Sequence, residues 1–128
     1  MPPYDANQFD PPAPLTRVTL RNPKNGSATS DIPMLLDTGA DVSLIPHAAL
    51  SALDLSASQD RLYELVSFDG STSYTPVVQI ELVFCNRTFR GQFLVIDQVC
   101  GILGRNVLNS LSLVFDGPNL AWDEKRTA

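Results

Sequence analysis

Short runs in which apolar and polar residues alternate follow one another along most of this chain. In the first run Val18 and Leu20 alternate with polar neighbours, and the turn-forming residues 22–26 come next. A period of two is typical of a strand with one buried face, so the runs on either side of residues 22–26 are predicted to form a hairpin. The return strand becomes almost wholly apolar over residues 32–36, which indicates burial on both faces.

Two short helices are predicted among the strands. Pro46 suits a first helical turn, and the Ala- and Leu-rich residues that follow extend it to about Leu53. Residues 105–110 are predicted to form one or two further turns. Many short strands with two small helices predict a mainly-β barrel or sandwich. The remaining predicted strands are residues 62–68, 74–84, 88–96, 111–115 and 120–122, with a turn at residues 85–87.

The chain divides into three parts. Residues 1–14 contain five prolines, which predicts an extended or irregular arm that cannot sit inside a sheet. Residues 15–123 carry the strand and helix patterns, and the length and 44% apolar content of the chain suit one globular domain with a modest core. Residues 124–128 are polar and are expected to form a flexible tail.

Composition argues against several classes of function. The formal net charge is −5, the isoelectric point is near 4.6, and lysine and arginine do not cluster, which argues against nucleic acid as a partner. No apolar stretch is long enough for a membrane span and no secretory signal pattern begins the chain, so a soluble cytoplasmic protein is expected. Cys85 and Cys100 fit no zinc or redox spacing, so no metal is expected. Reduced thiols are favoured for both cysteines, and a disulfide between them is the alternative.

Two segments, about sixty residues apart, carry the candidate chemistry. The apolar strand before Asp37 runs into Thr-Gly-Ala-Asp at positions 38–41, and residues 101–106 read Gly-Ile-Leu-Gly-Arg-Asn. The first segment is a buried strand that delivers one carboxylate into a tight turn, and the second is an apolar stretch that ends in Gly-Arg-Asn. Together the two segments resemble the active-site half of the retroviral-type aspartic proteases, the retropepsins. The resemblance covers roughly residues 16–115. It implies a mainly-β, closed or partly open retropepsin-like acid-protease barrel with one flap hairpin and one or two short helices.

The resemblance also implies a shared active site. The chain has one Asp-Thr-Gly copy, and the chemistry of the family needs two facing carboxylates, so a homodimer that cleaves a polypeptide substrate is implied. Of the two Asp37 carboxylates, the ionised one would take a proton from a water lodged between them, while the protonated one donates to the peptide carbonyl. This is general acid–base catalysis that needs no cofactor and no metal.

Roles for neighbouring residues follow from the same resemblance. Thr38 is expected to hydrogen-bond across the dimer to its twin loop, and Gly39 to let the substrate backbone approach closely. Asp41 matches a position that accepts hydrogen bonds from the substrate backbone, and Arg105 matches the arginine that pairs with that aspartate. Residues 63–82 fit the flap that folds over bound peptide. Further positions implied to contact substrate are Ala40, the flap-tip residues Asp69, Gly70, Ser71 and Thr72, and the pocket residues Leu44, Cys100 and Ile102.

Two departures from the viral pattern affect the flap and the dimer. The flap tip has one glycine, Gly70, where viral flaps are rich in glycine. A proline-rich arm precedes the first strand and a further segment follows Phe115, so the termini are not expected to interleave as in the viral dimers. The predicted dimer contact instead uses Leu111, Leu113 and Phe115 with Trp122, and an isolated monomer stays open as an alternative.

Simpler interpretations exist for single residues and for the whole chain. Residues 37–39 also suit an ordinary strand-ending turn, Asp41 a turn cap, and Arg105 a surface charge. His47 is the single histidine and begins a predicted helix, so it is not expected to be catalytic, which removes Ser/His and Cys/His mechanisms. For the whole chain the alternatives are a catalytically weak dimerisation or peptide-binding domain of the same fold, and a small structural β-domain.

Overall fold

The computed structural model describes residues 1–55, 58–67 and 69–125. Within these ranges most of the regular structure is strand, and both helices are single turns that have neither the length nor the apolar character to cross a membrane. The elements are β1 (Tyr4–Asp5), β2 (Ala13–Arg21), β3 (Ala28–Leu36), β4 (Leu44–Pro46), α1 (Ala49–Ala52), β5 (Ser58–Val66), β6 (Thr72–Phe84), β7 (Arg87–Ile96), β8 (Gly101–Leu103), α2 (Arg105–Leu108), β9 (Leu113–Asp116) and β10 (Ala121–Glu124).

Eight of these strands form one curved sheet. Its order is β1-β2-β3-β8-β4-β7-β6-β5, and β2 also pairs with β6 through residues 19–21 and 81–83, so the sheet turns back on itself. Most neighbours are antiparallel, but β3 runs parallel to β8 and β4 runs parallel to β7. The strands β9 and β10 form a separate two-stranded sheet. The predicted mainly-β architecture is confirmed, and the curvature of the sheet fits a partly open barrel.

The main core lies against one face of this sheet. Leu20, Met34, Ile45 and Leu103 are fully buried there, and α1 and α2 close it with further apolar side chains. Successive residues of a strand point to opposite faces, so Leu44 lies on the other face from Ile45. Leu44 belongs there to a second, smaller cluster of buried side chains. Both faces of the middle of the sheet are therefore apolar, as the sequence predicts for the end of β3.

A two-residue turn joins β6 to β7. Phe84 pairs with Arg87, and the intervening Cys85 and Asn86 have φ angles of +53° and +59°. Two successive positive φ angles are typical of the type I′ turn, whose twist matches that of a hairpin. The turn predicted at residues 85–87 is confirmed.

The first helix is shorter than the sequence predicts. Pro46 ends β4 instead of opening a helix, since it pairs with Ile96 of the parallel strand β7. The His47 N–H then donates to the Ile96 carbonyl at 2.8 Å, which extends the contact by one residue. Pairing with β7 therefore determines where β4 ends, and α1 begins only at Ala49. The second helix, α2, lies within the predicted residues 105–110.

The N-terminal arm, which the sequence predicts to be extended or irregular and not inside a sheet, contributes β1 to the edge of the sheet. One side of β1 pairs with the start of β2. On the other side, the Tyr4 N–H donates to the Leu120 carbonyl at 2.7 Å and the Trp122 N–H donates to the Pro2 carbonyl at 2.9 Å. An edge strand tolerates the prolines of this arm because not every backbone N–H of an edge strand has to donate a hydrogen bond to a neighbouring strand.

The C-terminal hairpin corresponds to the predicted strands at residues 111–115 and 120–122. β9 and β10 pair in register from Asp116 opposite Ala121 to Leu113 opposite Glu124. β10 thus includes Glu124, the first residue of the predicted flexible tail, and residues 126–128 of that tail lie outside the described residues.

Trp122 packs in the core and does not lie on an exposed dimer surface. Its side chain is only 4% exposed, its ring lies 6.0 Å from the Phe84 ring between centroids, and its Nε1–H donates to the Leu15 carbonyl at 3.2 Å. Its predicted inclusion in a dimer contact is therefore wrong. Val114 and Phe115 are the exposed apolar residues of β9, at 44% and 43%.

Trp122→Ala should strongly destabilise the fold, because it removes a buried aromatic ring and leaves a cavity. The free energy of unfolding is expected to fall by about 3–5 kcal/mol in denaturant titrations. Val66→Ala removes an exposed apolar side chain and serves as the control, with an expected change within about 0.5 kcal/mol. Equal effects of the two substitutions would contradict the packing role of Trp122.

Candidate active site

Asp37 lies at the first position after β3, where the buried strand opens into a loop. Its N–H donates to the Leu103 carbonyl at 3.0 Å, so the neighbouring strand β8 holds the point at which the loop begins. The Ala40 N–H donates to the Asp37 carbonyl at 3.2 Å, which closes a tight turn. The Asp37 carboxylate is half-buried and accepts a hydrogen bond from the Gly39 N–H at 2.9 Å. The loop therefore presents one oriented carboxylate beside the open end of the sheet.

A side chain at Gly39 would crowd the Asp37 carboxylate. A Cβ atom at Gly39 would lie 3.1 Å from Oδ1 of Asp37, which is tighter than ordinary van der Waals contact. Thr38 and Gly39 are both exposed at the turn, Ala40 is half-buried behind it, and Asp41 is exposed at its end. The absence of a side chain at residue 39 thus leaves room for the Asp37 carboxylate as well as for an approaching ligand.

Arg105 holds the loop through the backbone and not through Asp41. Its N–H donates to the Ala40 carbonyl at 2.8 Å, and its Nη1–H donates to the Thr38 carbonyl at 2.7 Å. The Asp41–Arg105 ion pair implied by the resemblance is therefore not found. Within the described residues the ion pairs instead join Glu81 to Arg21 and Arg90.

Ser43, Gly104 and Asn106 complete this support, and the sequence analysis did not single them out. Ser43 is 1% exposed; its hydroxyl donates to Oδ1 of Asn106 at 2.7 Å and accepts from the Gly104 N–H at 2.9 Å. A Cβ atom at Gly104 would lie 2.2 Å from the carbonyl oxygen of Val42, so the two segments touch backbone to backbone. The Gly-Arg-Asn sequence was the available signal for Gly104 and Asn106, but nothing in the sequence marks Ser43.

The predicted pocket residues Leu44 and Ile102 lie side by side. These two residues pair directly across the neighbouring strands β4 and β8, and Ile102 packs against the second cluster of buried side chains. Leu65 of β5 packs against the same cluster, and its pair with Ser73 lies at the end of the flap hairpin next to the tip. Cluster residues that the sequence analysis did not assign to the site are Val42, Leu65, Val77, Leu94 and Ile96.

Cys100 precedes β8 and is half-buried. Its Sγ lies 3.3 Å from the Gly101 carbonyl, and burial raises the pKa of its thiol. Cys85 lies in the β6–β7 turn, where burial and then the Glu124 carboxylate raise the pKa of its thiol to about 11. Both cysteines are free thiols. Raised pKa values keep them protonated near neutral pH, which disfavours a role as thiolate nucleophile.

The predicted flap is a hairpin of β5 and β6 with a structured tip. Oδ1 of Asp69 accepts hydrogen bonds from the Ser71 N–H at 2.9 Å and the Ser71 hydroxyl at 2.6 Å, and these bonds lower the pKa of the Asp69 carboxyl. Gly70 has φ of +84°, a backbone conformation that favours glycine. Thr72 begins β6, and Phe68 lies outside the described residues. No hydrogen bond joins the tip to the Asp37 loop in the described ranges.

Gly104→Ala should destabilise the protein because the new methyl group would meet backbone atoms that cannot move independently. We expect the free energy of unfolding to fall by about 1–3 kcal/mol. Gly117→Ala is the matched control, since no atom lies within 4 Å of a Cβ there, and its effect should stay within about 0.5 kcal/mol. Denaturant titration of both variants measures the difference, and a neutral Gly104→Ala would exclude the close backbone contact.

Comparison with known proteins agrees with this geometry. The family model described as retroviral aspartyl protease matches residues 11–115. Among solved structures, the EIAV protease complexed with the inhibitor HBY-793 is similar, with 27% sequence identity, a TM-score of 0.55, and coverage of 77% of this chain and 86% of that chain. No curated protein sequence matches the chain significantly. The match spans most of the chain, including the Asp37 loop, β8 and α2, and confirms the predicted retropepsin-like fold. The chain therefore belongs to the retroviral aspartyl protease family.

Proposed function

We propose that this chain is an aspartic endopeptidase that works as a homodimer and hydrolyses peptide bonds in extended polypeptides. The observation that carries the proposal is the Asp37 loop, in which the Gly39 N–H orients one half-buried carboxylate and Arg105 holds the loop through the Thr38 carbonyl. Apolar side chains around Leu44 and Ile102 adjoin this loop and suit apolar substrate residues on either side of the cleaved bond.

The proposed chemistry uses the two Asp37 carboxylates of the dimer. Two carboxyl groups within hydrogen-bond distance do not both ionise readily, so the pair retains one proton. The ionised group takes a proton from a water held between them, the water oxygen attacks the peptide carbonyl carbon, and the protonated group donates its proton to the carbonyl oxygen. Collapse of the tetrahedral centre then breaks the C–N bond as the amine is protonated.

Neighbouring side chains are free for the roles this mechanism needs. Thr38 is exposed, and its hydroxyl makes no hydrogen bond within the part of the chain that the structure describes, so it is available to the partner loop. Asp41 is exposed and forms no ion pair with Arg105, so it is available to accept hydrogen bonds from a substrate backbone. We assign the flap tip, residues 69–72, to covering the bound peptide.

β9 is the proposed dimer contact. Among the described strands it pairs with β10 alone, so its second edge is open, and it exposes Val114 and Phe115. Antiparallel pairing of β9 with its own copy would place Val114 opposite the partner's Phe115, as a two-fold interface requires. The two Asp116 carboxylates would then lie at opposite ends of the pair, about 10 Å apart at strand spacing, which limits their repulsion.

Asp37→Asn should abolish cleavage while it leaves the fold intact, because an amide keeps the shape of the carboxyl group but cannot cycle a proton. We expect a loss of at least about a thousandfold, within the 10²–10⁴ that general acid–base catalysis contributes. The measurement is cleavage of an oxidised, denatured protein at several acidic pH values. Asp54→Asn, an exposed aspartate after α1, is the matched control and should retain activity.

Two results of that assay would contradict the proposal. Cleavage by the pure Asp37→Asn protein at more than about a hundredth of the wild-type rate would remove Asp37 from the chemistry, since the loss would be too small for general acid–base catalysis. Binding of the denatured protein without any cleavage by the wild-type chain would instead favour the alternative of a catalytically weak peptide-binding domain.

Inactive chains should poison wild-type activity, because each chain supplies one Asp37 and a mixed dimer has one working carboxylate. With a threefold excess of Asp37→Asn chains and random pairing, activity per wild-type chain should fall to about one quarter. The control is an equal excess of chains that carry both Asp37→Asn and Phe115→Glu. These chains should not poison activity, because the charge at β9 blocks pairing.

Sedimentation over the same concentrations measures the oligomeric state. Full activity from a species that sediments as a monomer, unaffected by the inactive chains, would exclude the shared site. Poisoning by the chains that also carry Phe115→Glu would exclude β9 as the contact.

A further inference from the structure

One row of apolar side chains crosses six neighbouring strands on the face of the sheet that carries Leu44. Residues paired directly across adjacent strands point to the same face, so the members of the row lie next to one another. We call this row the apolar belt. In strand order from β2 to β6 its members are Leu15, Leu35, Ile102, Leu44, Leu94 and Val77.

The middle of the apolar belt is open beside the candidate catalytic residue. Leu35 and Ile102 are half-buried, whereas the other members of the belt, Leu15, Leu44, Leu94 and Val77, are buried. Leu35 stands two residues before Asp37 in the chain. A peptide that reaches Asp37 would therefore lie across the middle of the belt and extend towards its ends.

The Leu15 end of the belt opens into a groove of about 590 Å³ between β2 and the N-terminal arm. Binding sites for small ligands usually have volumes of about 300–1,000 Å³, so the groove can hold one or two residues of a peptide. The lining residues that matter here are Tyr4, Asp5, Asn7, Leu15 and Arg17.

The arm that forms the far wall of this groove is fixed in place. Its backbone is hydrogen-bonded to Leu120 through Tyr4 and to Trp122 of β10 through Pro2, and β1 pairs with β2. Oδ1 of Asp5 accepts hydrogen bonds from the Asn7 N–H at 2.7 Å and the Gln8 N–H at 2.9 Å, which closes the loop that follows β1. A wall held in this way is ready to receive a ligand without a large ordering cost.

The groove and the predicted substrate pockets are neighbours. Leu15 belongs both to the apolar belt, where it pairs directly with Leu35, and to the lining of the groove. The groove is therefore a continuation of the cleft beyond the apolar belt.

Arg17 gives the groove a positive group with no bound carboxylate. Its side chain is exposed, and its Nη1–H donates to the Asp31 carbonyl at 3.3 Å, with no ion pair among the described residues. A guanidinium group binds a carboxylate through two parallel hydrogen bonds. Oδ1 of Asp5, the acidic residue of the groove, already accepts two backbone N–H groups. The exposed Arg17 guanidinium is therefore the group of the groove that can bind an acidic side chain.

We propose that this groove is a substrate subsite in which Arg17 selects an acidic side chain of the peptide, about four residues from the cleaved bond. Arg17 is paired with Pro33, four residues before Asp37, which is about 13 Å along an extended strand. A bound extended peptide covers the same distance in about four residues. The inference rests on the proposed peptidase function, and the two-fold dimer repeats the groove, so the acidic residue fits on either side of the cleaved bond.

The test uses peptides built on one sequence that the wild-type chain cleaves, identified by mass spectrometry of a digested denatured protein. Glu, Gln or Lys is placed three or four residues from the cleaved bond, and kcat/KM is measured for each peptide. We expect the Glu peptide to be preferred over the Lys peptide by about three- to tenfold, as partly exposed ion pairs allow. Arg17→Glu should reverse that preference and Arg17→Ala should remove it.

Lys24→Glu is the matched control, because it makes the same charge change at the opposite end of the β2–β3 hairpin and should keep the preference for Glu. The Asp37→Asn chain with fluorescently labelled peptides reports binding without chemistry and should show the same order of affinity. This readout separates the two proposals, since absent cleavage with charge-selective binding would contradict only the peptidase.

Three results would overturn the subsite. The first is cleavage of all three peptides with equal kcat/KM, which would leave the peptidase proposal intact. The second is a preference for Lys that Asp5→Asn removes, since Asp5 would then be the recognising group. The third is a change in the dimer dissociation constant of Arg17→Glu with unchanged peptide selectivity, because the groove would then hold the second copy of the chain.

Discussion

Hydrogen bonds between residues 37–43 and residues 103–106 hold the candidate active site together. They include backbone contacts at Asp37 and Ala40 and the buried hydroxyl of Ser43. Gly104 allows this contact because a side chain there would overlap the Val42 carbonyl. Two segments that are far apart in the chain thus form one rigid unit, and the Asp37 carboxylate takes its orientation from that unit and not from its own turn alone.

The sheet serves two purposes because its residues alternate between faces. In β3, β4, β7 and β8 one set of residues enters the main core, while the intervening residues form the apolar belt. A sheet that is apolar on both faces is stable only if both are covered, and the second face is covered in part by Leu65, which lies near the tip of the flap hairpin. The open middle of the belt leaves apolar surface where a peptide can bind.

The edges of the structure differ in how they are covered. The N-terminal arm pairs with β2 and contacts β10, so the arm covers one edge of β2 and one edge of β10. The second edge of β9 is open and exposes Val114 and Phe115. An open apolar edge favours pairing with another strand, and a second copy of the chain is the partner that a single Asp37 requires. The arm, which closes one edge, also forms the wall of the groove beside Arg17.

The sequence determined the strand-rich fold, the turn at Cys85 and Asn86, and the position of Asp37 at the end of a buried strand, because these depend on local periodicity and on neighbours in the chain. It also predicted Leu44 and Ile102 as pocket residues, and the structure pairs these two residues directly across β4 and β8. Tertiary structure alone decided that Arg105 bonds the Thr38 carbonyl and not Asp41, that Ser43 supports Gly104, and that Trp122 is buried against Phe84. Each of these contacts joins residues far apart in the chain, and a side chain's partner depends on which backbone lies within reach after folding. The apolar belt has the same origin, because its six members come from six strands whose register only the assembled sheet defines.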